Sequence, residues 1–201
     1  MSYDYDFPPG STLGKLKIRT CGTVWANTQN KHAAPGICCY SGRALLDLYR
    51  FTGKENYLDM LVQITRAIPQ FLSTPERPVE GLKHGWMSER VSTTDWFEGI
   101  GEIMKGSTWS ETSLMLTYTE IPGVYCNPDK KIIRCFDNVS AKIENESLII
   151  EDLSGTASER NLKVWIDHGS DKNVKNPYGC EDADILKLGE KRIIDLKKRK
   201  L

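Results

Sequence analysis

Residues 36–73 read GICCYSGRALLDLYRFTGKENYLDMLVQITRAIPQFLS, and this stretch decides the fold. In its first half Ile37, Ser41, Leu45, Leu48 and Phe51 recur at three- and four-residue intervals, with Ala44 and Tyr49 beside them. In its second half Tyr57, Leu61, Ile64, Ile68 and Phe71 repeat the pattern, flanked by Leu58 and Leu72. That spacing lines one face of an α-helix. Arg43, Asp47, Arg50, Lys54, Asp59 and Arg66 fall mostly off the two stripes. Between them stands Thr52-Gly53, where glycine suits the left-handed residue that closes a helix, and Pro69 lies near the end of the second run. The stretch predicts an antiparallel αα-hairpin. One hairpin cannot bury both of its faces, so an exposed apolar flank is expected on the helical side.

Working outward, residues 1–35 read as an irregular arm, with Pro8-Pro9-Gly10 and a short strand at 15–19. Residues 74–108 form a long, glycine-bearing connection, a length that is uncommon without a task. A short helix is the expectation over 96–104, with Gly99 and Gly101 opposing it. Thr108-Trp109-Ser110-Glu111 has the form of a capping box, in which the threonine hydroxyl and Glu111 satisfy opening N–H groups. The helix it opens runs to about Thr119, with Trp109, Thr112, Leu116 and Thr119 on one face and Met115 beside it. Pro122-Gly123 ends it.

Beyond Pro122 the periodicity becomes that of strands. The runs 124–126, 131–136, 139–143, 147–152, 162–167 and 192–196 are short, several alternate, and turn residues separate them. The fold class expected is α+β: a helical region over 1–122, then a small antiparallel β-sandwich over 123–201.

Lys+Arg and Asp+Glu both count 27, so no net field favours nucleic acid or an anionic membrane. The basic run at 197–200 reads as a solvated tail. No apolar run approaches the roughly 20 residues of a membrane span, and the acidic N-terminus is not a signal peptide. The six cysteines follow no CxxC pattern and read as free buried thiols, with Cys126 and Cys135 as possible cross-strand neighbours. Asn138-Val139-Ser140 and Asn145-Glu146-Ser147 are glycosylation sequons, meaningful only in a secreted eukaryotic protein. No Gly-x-Ser-x-Gly elbow and no glycine-rich phosphate loop occurs.

Three features together carry a resemblance. They are LeuLeuAspLeuTyrArgPheThrGlyLysGluAsnTyrLeu (45–58), the loop GlyTrpMetSerGluArg (85–90), and the passage LeuThrTyrThrGluIleProGlyValTyr (116–125). With them residues 22–143 resemble the closing hairpins of a six-hairpin (α/α) toroid of the glycosidase kind. A full toroid has twelve helices, so the resemblance implies that this chain is a C-terminal portion. It would associate with the missing N-terminal part or with itself. It also implies a carbohydrate ligand, bound by loops at one end of the inner helices. Some toroid β-L-arabinofuranosidases hold zinc with a Glu-x-Cys and an adjacent cysteine pair. Cys38-Cys39 is similar, but Arg19 stands two residues before Cys21, so no metal and no cofactor is expected.

A sugar offers an apolar C–H face and a rim of hydroxyls, so its site combines flat aromatics with polar partners. Trp86 and Trp96, with Asn30, His32 and Arg90, are the candidate substrate-binding residues. Glycoside hydrolysis needs two carboxyls flanking the bond. Glu89 and Asp95, beside Trp86, Arg90 and Trp96, are the candidate catalytic pair; Glu98 and Glu102 lie in the same loop. A non-catalytic carbohydrate-binding or structural module is the alternative.

Overall fold

The computed structural model describes residues 4–23, 25–27, 32–33, 42–94, 98–104, 108–155, 160–167, 180–186 and 191–197. These form an α+β protein that divides into two compact units, Met1–Glu120 and Ile121–Leu201. No helix among the described residues is long and apolar enough to cross a membrane.

In the first unit a single helical turn, α1 (Thr12–Lys15), replaces the expected strand at 15–19. The Ser11 side chain caps it by accepting from the Gly14 N–H at 3.1 Å. Lys17 then takes a φ of 51°, which breaks any extended run. The arm is less irregular than expected. Strands β1 (Trp25–Asn27) and β2 (His32–Ala33) lie within it, and the long connection supplies their partner, β3 (Val91–Ser92). A helix over 96–104 is not formed at 98–104, where the chain turns and makes a single bridge from Ile103 to Val91. The left-handed Gly99 and Gly101, at φ 98° and 74°, account for that.

The hairpin consists of α2 (Gly42–Thr52) and α3 (Asn56–Ala67), and α3 tightens into a 3₁₀ turn over Ile68–Phe71. Gly53 turns the chain at φ 72°, donating its N–H to the Tyr49 carbonyl at 2.7 Å. The second stripe is buried at Leu61, Ile64, Ile68 and Phe71 and at the flanking Leu58, while Tyr57 and Leu72 are half-buried. The first, whose Ile37 and Ser41 lie outside the described residues, is rotated over α2. Leu45, Leu46 and Tyr49 are buried, whereas Leu48 and Phe51 are exposed, Phe51 at 90%. Apolar residues occupy both lines of α2, so spacing alone does not choose between them.

The choice is made by α4 (Thr108–Glu120). A Cβ on Gly42 would fall 2.6 Å from the Thr117 methyl, so the two helices meet where side chains are small. Ser110, Ser113, Leu114 and Thr117 form the buried face of α4, and Met115 and Leu116 are exposed. The expected face through Thr112, Leu116 and Thr119 is therefore the outer one. Of the apolar residues on these helices, Leu48, Phe51, Met60, Met115 and Leu116 are exposed.

In the second unit the strands are β4 (Val124–Asn127), β5 (Ile132–Cys135), β6 (Val139–Glu144), β7 (Ser147–Asp152), β8 (Arg160–Ile166), β9 (Cys180–Leu186) and β10 (Lys191–Asp195). They form two sheets, ordered β5-β4-β8-β9 and β10-β7-β6. Val124, Cys126, Leu162, Val164 and Ile166 from one sheet share an apolar cluster with Val139, Leu148, Ile150 and Ile194 from the other. One pairing departs from the expected antiparallel pattern: β4 and β8 run parallel. The chain leaves β4 through β5, builds β6 and β7 in the other sheet, and returns in its original direction, as a crossover requires. Strand β9 was not legible in the sequence. Asn145 and Glu146, at φ 47° and 60°, make the two-residue turn joining β6 to β7.

Cys126 and Cys135 are not opposite one another. The register sets Cys126 against Ile133 and Cys135 against Val124, and neither forms a disulfide. Burial pushes the Cys126 thiol up to about 12.

Candidate functional site

The connection after α3 is held in place by backbone bonds. Ser73, wholly buried, donates its N–H to the Trp86 carbonyl at 2.8 Å and accepts from Gly85 at 2.7 Å. Leu72 pairs with Met87 alongside. Trp86 donates its N–H back to the Lys83 carbonyl at 3.0 Å, and Gly85 has φ 85°. Lys83-His84-Gly85-Trp86 is thus a type II turn, which needs glycine at its third position. The next N–H, that of Met87, donates to Glu111 Oε1 at 2.6 Å. Glu111 is therefore not the second half of a capping box; it reaches from α4 to clamp this loop.

The clamp presents Trp86 on a rigid corner. Trp86 is 37% exposed, and the Lys83 ammonium lies over its ring, 5.7 Å from the centroid. Lys83 and His84 are exposed. A fixed backbone under an exposed indole gives a platform whose ordering cost is met before a ligand arrives. The chain then turns inward through the buried Met87 and Ser88, whose single hydroxyl proton is shared between the Arg90 carbonyl at 2.6 Å and the Met104 carbonyl at 3.2 Å.

Beyond it β3 sets Ser92 opposite His32 of β2. The half-buried Arg90 guanidinium grips Glu98, from Nη2 to Oε1 at 2.7 Å and from Nε to Oε2 at 3.1 Å. Burial first, and the Arg90 charge second, hold the His32 imidazole below its ordinary 6.5, with Glu98 opposing them. His32 is thus neutral in the fold at neutral pH. Because its folded pKa lies below the unfolded one, its contribution to stability is complete above pH 6.5. It is lost as the pH falls from there toward the depressed value. Thermal unfolding followed from pH 8 to pH 5 is expected to show this decline, and His32→Gln is expected to flatten it.

Two of the sequence candidates, His32 and Arg90, are thus brought together, with Glu98 as a third member. Arg90 is neutralised there, which suits it to holding β3 against the 98–104 segment better than to gripping a ligand. Trp86 stands on the separate turn described above. Asn30, Asp95 and Trp96 lie outside the described residues.

The carboxylates of the connection sort by partner. Glu98 is taken by Arg90. Glu102 accepts from the Thr12 hydroxyl at 2.7 Å and from its N–H at 3.4 Å. Glu89, half-buried, makes no hydrogen bond or ion pair among the described residues. Among the described residues no group of three or more His, Cys, Asp or Glu side chains gathers as a metal site would require. Lys83 escaped the sequence reading, although Lys-His-Gly-Trp is a legible turn that sets its first and fourth residues side by side. Comparison with protein-family models, curated proteins and solved structures finds no match for the chain.

Proposed function

We propose that this chain is part of a carbohydrate-active protein and binds a saccharide on the Trp86 corner. In this reading the helical unit is a segment of an (α/α) toroid and the second unit is the trailing β-sandwich. The observation that carries it is the exposed Trp86 ring on a turn fixed by Ser73 and Glu111. An indole face covers the apolar C–H face of a pyranose, and the rigid turn removes the entropy that a mobile aromatic would lose. The toroid assignment is supported by the outward apolar residues of α2, α3 and α4, which offer a surface to further helices of the same protein or of a second copy.

Hydrolysis of a glycosidic bond is the activity proposed, with Glu89 and Asp95 as the carboxyl pair. Glu89 is favoured because it has no partner among the described residues, whereas Glu98, Glu102 and Glu111 each serve the fold. The complete protein is to be tested against a panel of oligosaccharides. Glu89→Gln is expected to retain binding and lose about 10²–10⁴-fold in turnover, the usual share of a general acid or base. Binding without turnover in the parent protein would reduce the reading to a carbohydrate-binding module. The absence of both would refute it.

A further inference from the structure

We infer that the saccharide taken by the Trp86 corner is acidic, carrying a uronic acid unit whose carboxylate pairs with Lys83. This rests on the carbohydrate reading above and narrows its substrate class. Lys83 is exposed and makes no ion pair among the described residues; its contact is with the Trp86 ring, 5.7 Å from the centroid. Glu80, the nearest acid preceding the turn in sequence, pairs instead with Lys15 at 3.0 Å.

The turn fixes the backbone of Lys83 and Trp86 relative to each other through the 3.0 Å bond between them, so cation and ring form one unit. A pyranose stacked on the indole projects its ring substituents past the edge of the aromatic plane. On a uronic acid one of these is the carboxylate; a sugar on the face over which the Lys83 ammonium lies displaces it, and the stem is long enough for the ammonium to follow the carboxylate to the ring edge. His84, exposed between the two, adds an imidazole that can donate to the same group. A neutral sugar would gain nothing from the ammonium beyond hydrogen bonds that water also supplies, so the charge separates the two ligand classes.

The test uses the full chain with tetragalacturonate and its fully methyl-esterified form, which keeps the rings and removes the charge. Tetragalacturonate is expected to bind about 2–5-fold more tightly, the range of an exposed ion pair. That preference is expected to shrink with added salt and to vanish in Lys83→Gln, whereas Trp86→Ala weakens both ligands. Lys83 is on the surface, so its replacement leaves the fold intact. Equal affinity for the two forms, or a preference that survives Lys83→Gln, would overturn the acidic assignment and leave the sugar platform standing. If neither these ligands nor neutral oligosaccharides bind, the platform itself falls.

Discussion

Phe71→Ala is expected to lower the stability of the helical unit by about 3–5 kcal/mol, the usual cost of emptying a buried aromatic site. Phe71 is 1% exposed at the end of the 3₁₀ turn that finishes the hairpin. Arg77 donates to the carbonyl of the preceding residue, Gln70, so the turn is held from both sides. Ser73, two residues on, grips the Trp86 turn. The cavity is therefore expected to act twice, destabilising the hairpin and loosening the platform. Urea titration followed by circular dichroism measures the first effect, and acrylamide quenching of tryptophan below the transition measures the second. A loss under about 1 kcal/mol would mean that the hairpin is anchored elsewhere.

The second large effect is expected in the other unit, where Ile150→Ala should cost about 2–5 kcal/mol and Ile150→Val about 0.5–1.5 kcal/mol. Ile150 is completely buried on the central strand of its sheet, between Ala141 and Arg192, and belongs to the cluster shared by both sheets. Ile193, on the neighbouring strand, is 61% exposed. Ile193→Ala is thus the control, expected within about 0.5 kcal/mol of the parent. Denaturation of all three variants checks whether the cluster, rather than strand content, stabilises this unit. Equal losses at Ile150 and Ile193 would contradict it.

The sequence made the hairpin readable because most apolar residues of α3 share one face, with Met60 the exposed exception. It misjudged α2 because Leu45, Leu46, Leu48, Tyr49 and Phe51 offer two apolar lines. The deciding contact, Gly42 against Thr117, joins residues 75 positions apart. The same contact inverts α4, burying serines and threonines where helices approach closely and leaving Met115 and Leu116 outside. Glu111 fits a capping box by spacing, yet its carboxylate serves a loop 24 residues upstream. Local pattern cannot rank such a partner. In the β region the hairpin strands were legible from alternation and turns, whereas the parallel β4–β8 pairing depends on the path between sheets.

At the candidate site, Trp86 was legible by residue type. Its fixed backbone and its companion Lys83 follow from Ser73, Gly85 and Glu111, which sequence order alone does not bring together. The pairing of Arg90 with Glu98, eight residues on, likewise assigned a candidate ligand contact to the framework.

The central claim is that a saccharide sits on Trp86, and residue-resolved oxidation tests it most directly. N-bromosuccinimide applied to the intact chain, with the modified tryptophans located by peptide mass spectrometry, reports access to each indole. Trp86, at 37% exposure, is expected to be oxidised readily in the free protein, while Trp165, at 2%, is spared. With saturating acidic oligosaccharide, Trp86 is expected to become protected and Trp165 to remain unchanged. Oxidation of Trp86 at the same rate with and without an oligosaccharide that demonstrably binds would contradict the account, because the sugar would then lie elsewhere on the protein.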